Sequence, residues 1–223
     1  MGTSENTVLR PSLEQFEALA REGNLIPVAR EILADLDTPL SLFRRLDDGA
    51  TSFLLESVQG GEKWARYSFI GTGAAARFRA RGREVDWFEG DLHERAQAPG
   101  DPLEVLREKL ARYRAVKPEG LELPRFVGGA VGVVGYDWVR FVEAIPDANP
   151  GSGGFPDLAF TLPETVVVYD NVRHTALIVK HVHLREGDAP AARYAEATRA
   201  LDEVVERLRA PLAPEPRREA ARE

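Results

Sequence analysis

The stretch ETVVVYDNVRHTALIVKHVHL, residues 164–184, contains two apolar runs on either side of an Asp-Asn pair. Both runs are rich in valine, threonine and other residues that favour strands. Asp170 and Asn171 tolerate the left-handed backbone conformation that tight turns require. The stretch therefore predicts an antiparallel hairpin that turns at Asp170-Asn171.

The region that precedes this hairpin shows the same pattern of short strands and glycine turns. Four strands are expected to form an antiparallel meander with turns at three glycine positions. These strands are 51–58, 66–72, 74–81 and 83–88, and the turns are at Gly60-Gly61, Gly73 and Gly82. The segment 126–143 begins as a further, glycine-rich strand, and 24–35 begins extended because Pro27 disfavours helix before it.

Four amphipathic segments are predicted as helices that cover the outside of the sheets. They span 12–21, 39–46, 102–114 and 190–209. Each opens on a capping residue, a proline at its first position, or both. Because no strand–helix–strand rhythm is evident, we predict an α+β fold with antiparallel β-sheets, built from a meander and hairpins, and with helices packed outside. We divide the chain into a flexible terminus at 1–11, one domain at 12–210 and a linker or tail at 211–223.

The composition excludes several classes of protein. A net charge of −7 argues against a general nucleic-acid binder. No apolar run approaches the roughly eighteen residues that would span a membrane, and the N-terminus lacks the pattern of a signal peptide. The absence of cysteine excludes disulfides and thiolate chemistry. We therefore expect a cytoplasmic protein with no nucleic-acid or membrane partner.

The glycine-rich and histidine-rich stretches do not define a cofactor site. Gly129, Gly132 and Gly135 fall at intervals of three and are followed by GYDW, so they match neither dinucleotide nor phosphate-binding loops. We interpret them as positions of close backbone packing. His181 and His183 share one strand face, but two ligands do not define a zinc site. We interpret that face as exposed, and we predict no metal site and no catalytic residue in this chain.

The stretch SFLLESVQGGEKWARYSFIG, residues 52–71, holds more charge than a simple hairpin needs. Glu56 and Ser57 lie at the end of one strand, and Lys63, Arg66 and Ser68 lie on the turn and the returning strand. An acid facing a cation and hydroxyl groups could bind the ammonium and carboxylate of a free amino acid. The alternative is that Glu56 pairs with Lys63 or Arg66 across an ordinary solvated hairpin.

Four motifs in order resemble the N-terminal region of anthranilate synthase component I. They are LLES, GGEKWARYSFIG, GGAVGVVGYDWVR and PETVVVYDNVR, and the resemblance covers roughly residues 12–210. It implies the fold of that N-terminal region and a place in tryptophan biosynthesis. In that family chorismate and glutamine-derived ammonia become anthranilate and pyruvate. L-tryptophan inhibits the enzyme at a site built partly from the LLES motif.

The resemblance implies that Leu55, Glu56 and Ser57 contact L-tryptophan, and that Arg66 or Tyr67 lies near the basic residue of that site. It also implies a glutamine amidotransferase subunit, component II, as a partner. The chorismate-binding and Mg²⁺-binding residues belong to a C-terminal catalytic domain that we expect to be absent from these residues. We therefore expect no cofactor in this chain, and Mg²⁺ in the missing half.

Two alternatives remain open from the sequence. The related aminodeoxychorismate synthase component I shares the glycine-rich motif and the general layout. The second alternative is a free-standing amino-acid-binding or interaction module with no enzymatic context. The LLES and RYSFIG motifs are more typical of the anthranilate enzyme.

Overall fold

A computed structural model describes residues 9–56, 66–146 and 154–212. In chain order the elements are α1 (Leu13–Leu19), β1 (Leu25–Leu33), α2 (Pro39–Leu46), β2 (Phe53–Leu55), β3 (Tyr67–Arg81), β4 (Glu84–Glu89), β5 (Leu92–Gln97), α3 (Pro102–Leu110), β6 (Val131–Val134), a 3₁₀ helix (Tyr136–Phe141), β7 (Leu158–Asp170), β8 (Thr175–His183) and α4 (Pro190–Arg209). The α+β fold with helices packed outside an antiparallel sheet is confirmed.

The described strands form one eight-stranded sheet in which every strand pair is antiparallel. Its order is β1-β8-β7-β3-β4-β5, with β2 paired to β3 and β6 paired to β7. The two longest strands, β3 and β7, run side by side through the whole sheet. They connect a half that contains β1, β8 and β2 to a half that contains β4, β5 and β6.

Each half of the sheet has its own apolar core, and the two cores lie on opposite faces. Val167 and Tyr169 of β7 point into the core beneath α1, α2 and α4. Leu158 and Leu162 of the same strand point into the core beneath α3. Because side chains alternate along a strand, odd-numbered and even-numbered residues of β7 face opposite sides. Helices α1, α2 and α4 therefore cover one face of the sheet at one end, and α3 covers the opposite face at the other end.

The helix starts follow the predicted capping chemistry. Ser12 and Gln15 form a reciprocal capping box at α1, and Thr38 and Ser41 form another at α2. Asp101 caps α3 by accepting a hydrogen bond from the amide of Leu103. These bonds satisfy backbone N–H groups that the first turn of a helix leaves without partners. α3 ends at Leu110, earlier than predicted.

Four points of the strand prediction need correction. The segment 126–143 does not begin as a strand, since β6 spans only Val131–Val134 and the 3₁₀ helix follows it. The predicted turn at Gly73 is wrong, because β3 continues through it with an irregularity in register between Ala74 and Ala76. Gly73 has a φ of +68°, which glycine adopts without strain, and β7 supplies a partner on both sides of it. Strand β5 was not predicted. Strand β2 is shorter than predicted, and the turn at Gly60-Gly61 lies outside the described residues.

Candidate functional site

The candidate amino-acid site lies where β2 ends and β3 begins. Leu55, the last residue of β2, is opposite Phe69 of β3 in the register. Leu55 and Glu56 are exposed, while Arg66 and Tyr67 are half-buried. The structure therefore brings four of the five predicted site residues to one end of one strand pair. The fifth, Ser57, and also Lys63, lie outside the described residues.

Arg66 is held by an acid that the sequence places far away in the chain. Asp170 Oδ2 accepts hydrogen bonds from Arg66 Nε at 3.1 Å and from Nη2 at 2.7 Å. Burial alone would raise the pKa of the Asp170 carboxyl, but hydrogen bonds from Arg66 and from the amides of Arg173 and Val172 hold that pKa below its usual value. The carboxylate is therefore charged and fixed in orientation near neutral pH. Of the alternative, that Glu56 pairs with Lys63 or Arg66, the pair with Arg66 is not formed, and Lys63 lies outside the described residues.

Asn171 adds further hydrogen bonds between the turn that follows β7 and the start of β3. Its amide N–H donates to the backbone carbonyl of Arg66 at 2.8 Å, and its side-chain Nδ2 donates to the same carbonyl and to the Ser68 hydroxyl. Ser68 is fully buried, so its hydroxyl faces the protein interior rather than a ligand. Asp170 and Asn171 thus do more than form the predicted turn, because they fix the start of β3.

An aromatic series extends from Arg66 along one face of the sheet. The Arg66 guanidinium lies 4.9 Å from the centroid of the Tyr67 ring. The Tyr67 and Phe69 centroids are 6.4 Å apart, and Phe69 meets Phe126 edge-on at 5.2 Å. Aromatic pairs at such distances and angles are favourable. The end of β2 is therefore bordered by a guanidinium and by apolar ring surface.

The glycine-rich strand packs as closely as the sequence indicated. A Cβ atom added at Gly132 would lie 1.9 Å from the carbonyl oxygen of Ala159 in the adjoining strand. A Cβ atom at Gly128 would lie 2.6 Å from Cε1 of His181. These two glycines therefore permit a close approach of backbone and ring, which supports the packing interpretation over a nucleotide site.

The prediction that His181 and His183 lie on an exposed face is wrong. Both side chains are partly buried and line a cavity beside α4. Burial, together with the neighbouring charge of Lys180, lowers the pKa of His181 to about 4. Burial also lowers the pKa of His183. The alternation that places both residues on one face was sound, but the sequence did not indicate that the 127–129 segment covers this face.

Across residues 9–56, 66–146 and 154–212, no three His, Asp or Glu side chains are grouped so that they could hold a metal ion. None of the helices in these ranges is long and apolar enough to cross a membrane.

Replacement of Asp170 should measure how strongly the Arg66 attachment holds the fold. Asp170→Ala removes the Arg66 ion pair and two turn hydrogen bonds, so we expect the free energy of unfolding to fall by about 2–3 kcal/mol. Asp86→Ala is the matched control, since Asp86 pairs with the exposed side chain of Arg95 in the same sheet. We expect it to cost less than about 1 kcal/mol. Equal losses in urea unfolding would contradict a special role for Asp170.

Comparison with known proteins assigns the chain to a family. The family described as chorismate binding enzyme matches residues 51–223. Anthranilate synthase component 1 of Acinetobacter calcoaceticus is 40% identical over 204 residues, which is 88% of this chain and 39% of that protein. The Pseudomonas aeruginosa protein of the same name is 42% identical over 205 residues, 90% of this chain and 40% of its own length. The chain thus spans about two fifths of these relatives, and it belongs to the chorismate binding enzyme family.

Proposed function

We propose that these residues form the N-terminal, regulatory portion of an anthranilate synthase component 1. The observation that carries the proposal is the similarity to relatives of that name over most of this chain, at 40% and 42% identity. In the complete protein, chorismate and ammonia derived from glutamine give anthranilate and pyruvate. The ammonia comes from a glutamine amidotransferase partner, component II.

The catalytic chemistry belongs, in this proposal, to the part of the relatives that the chain does not span. Mg²⁺ prefers several carboxylate and water oxygens around one ion. The described residues offer no such carboxylate group, so they do not fit the metal. The contribution of this chain is therefore binding and regulation rather than bond making.

The end of β2 offers complementary groups for L-tryptophan. Glu56 is an exposed acid that can pair with the ligand ammonium. Asp170 engages Nε and Nη2 of Arg66. Nη1 of Arg66 donates no hydrogen bond to any described residue and is available to a ligand carboxylate. Tyr67 and Phe69 provide ring surface for an indole. Ser57, the next residue after Glu56, would add a hydroxyl.

The first test concerns activity of the 223 residues alone. We expect no anthranilate from chorismate, with either ammonia or glutamine and amidotransferase, at saturating Mg²⁺. Anthranilate fluorescence measures the outcome against a sample without protein. Formation of anthranilate above that background would contradict the proposed division of labour.

The second experiment tests the chain in a complete protein. The chain is joined to the remaining three fifths of the Pseudomonas aeruginosa relative, and products are separated by chromatography. Anthranilate is the expected product, and its formation should be inhibited by L-tryptophan. The product reports the catalytic part of the relative, so the response to tryptophan is the outcome that tests this chain. Activity without any response to tryptophan would support the family role and contradict the regulatory one.

A further inference from the structure

One face of the sheet is left uncovered in the half that contains β4, β5 and β6. In this half α3 packs on the even-numbered side of β7, whereas α1, α2 and α4 pack on the odd-numbered side only in the other half. Ala159 and Thr161 of β7 therefore face a side on which no described helix packs. The register aligns Arg77 of β3 with Thr161, and it aligns Arg79 of β3 and Val133 of β6 with Ala159. These five residues form what we call the arginine–valine face.

The arginine–valine face ends in an exposed apolar strand, although the face that an antiparallel sheet leaves to water is normally polar. Val133 of β6 is 66% exposed, Tyr136 after β6 is 85% exposed, and Val142 after the 3₁₀ helix is 62% exposed. β6 is also an edge strand, since β7 is its one partner among the described strands. A strand edge that is open and bordered by exposed apolar side chains is a surface suited to another segment of protein.

The two cations of this face lack an acidic partner. Neither Arg77 nor Arg79 forms an ion pair with any residue that the structure describes. The Arg77 guanidinium lies 5.0 Å from the centroid of the Phe88 ring, which holds the group at the surface without neutralising it. Asp86 is opposite Arg79 in the register, but Arg95 already engages its carboxylate at 2.9 Å. The face therefore favours a partner that carries carboxylates.

The end of α4 lies on the side of the molecule where this face is bordered by a groove. The groove, of about 300 Å³, separates the face from the 50–53 segment that follows α2. Arg45 of α2 holds the end of α4, because its Nε donates a hydrogen bond to the carbonyl of Ala210 at 2.8 Å. Arg45 is five residues before Ala50 at the groove wall, so at most about 18 Å of chain separates them. Any sequence that follows α4 in a longer relative therefore leaves the molecule near the groove.

We propose that the arginine–valine face and the open edge of β6 are the surface on which the rest of the complete protein docks. The chain spans about two fifths of its relatives, so a part larger than this chain is available as the occupant. That part should present carboxylates to Arg77 and Arg79, apolar side chains to Val133 and Tyr136, and an extended segment to the edge of β6. The inference rests on the proposed function, because it takes the remaining three fifths of the relatives as the partner.

Thiol labelling tests the docking surface, because the 223 residues contain no cysteine of their own. Val133→Cys is made both in the 223-residue chain and in the protein joined to the remaining three fifths of the Pseudomonas aeruginosa relative. A maleimide should label position 133 at least about ten-fold more slowly in the joined protein, as peptide mass spectrometry measures. Ala195→Cys, on the exposed side of α4, is the matched control and should label equally in both proteins. Equal labelling of position 133 in the two proteins would overturn the proposal.

Charge reversal tests the kind of partner. In the joined protein, Arg79→Glu should return the labelling of position 133 towards the rate in the 223-residue chain, because it sets a carboxylate against the carboxylates of the partner. Arg199→Glu makes the same change of charge on the exposed side of α4 and should leave the protection unchanged. Full protection of position 133 in the Arg79→Glu protein would overturn the assignment of an acidic partner surface.

Hydroxyl-radical footprinting needs no variant of either protein. Oxidation of Tyr136 should fall by about three-fold or more in the joined protein, because the core of an interface excludes water. Oxidation of Leu13, which is exposed on α1, should not change. Unchanged oxidation of Tyr136 in a joined protein that L-tryptophan inhibits would overturn the docking surface and leave the proposed function standing. Protection of Tyr136 in a joined protein that does not respond to tryptophan would support the docking surface and contradict the regulatory role.

Discussion

When the pH is lowered from about 7.5 to about 4.5, the free energy of unfolding of the wild-type chain should fall by about 2–3 kcal/mol more than that of a His181→Phe variant. The pKa of His181 in the folded chain is about 4, compared with 6.5 for an ordinary histidine. The main cause is burial, and the positive charge of Lys180 adds to it. Phenylalanine keeps a planar ring beside Gly128 and cannot titrate.

The sign of this effect follows from proton binding. Below pH 6.5 the unfolded chain binds a proton at His181 that the folded chain does not accept until the pH is near 4. Stability is therefore complete above pH 6.5 and falls as the pH decreases towards 4, by about 1.4 kcal/mol per pH unit. Carboxyls whose pKa is lowered in the folded chain, such as those of Asp86, Glu94 and Asp170, also lose stability as the pH falls, but they do so in both proteins, so the difference between wild type and His181→Phe reports His181.

Urea unfolding at several pH values measures the difference between the two proteins. The value at pH 8 reports any change in packing, since His181 is neutral in both states there. His183→Phe should show a smaller version of the same effect, because burial lowers the pKa of His183 as well. Parallel stability curves for wild type and His181→Phe would contradict the buried, neutral state of this side chain.

The parts of the fold that depend on local sequence could be predicted. The 164–184 hairpin forms as expected, although β7 includes Asp170 and the turn runs over 171–174, because Asp and Asn favour turns regardless of what surrounds them. The starts of the helices at Ser12 and Thr38 are likewise fixed by neighbours three residues away. Such interactions are visible in the sequence because both partners are close together in it.

The predictions that were wrong concern residues whose structural partners are distant in the sequence. Gly73 was assigned to a turn on its local preference, but pairing with β7 along both sides keeps the strand continuous. The His181 face was considered exposed because its cover, the 127–129 segment, is distant in sequence. Arg66 was chosen as a candidate site residue from the local sequence, but its partner Asp170 lies 104 positions away and could not be identified without the fold. Long-range contacts override local preferences in each case.

The last prediction concerns Ser57, in the complete protein described under Proposed function. If the end of β2 forms part of a tryptophan site, Ser57→Ala should raise the inhibition constant of L-tryptophan by about one to two orders of magnitude, since a hydrogen bond to a charged group contributes about 1.5–3 kcal/mol. Chorismate turnover without tryptophan should stay near its normal rate. Allosteric inhibition is a coupling between two sites, so weaker effector binding need not alter the catalytic state.

Inhibition curves for wild type and Ser57→Ala, measured by anthranilate fluorescence, give the result. Ser12→Ala is the matched control, because Ser12 also loses a serine hydroxyl but serves as the cap of α1. Arg66→Ala should raise the inhibition constant too, and it should also destabilise the chain by releasing Asp170. If Ser57→Ala and Ser12→Ala were inhibited equally, the charges at the end of β2 would be those of an ordinary solvated hairpin, and the regulatory role would have to lie elsewhere.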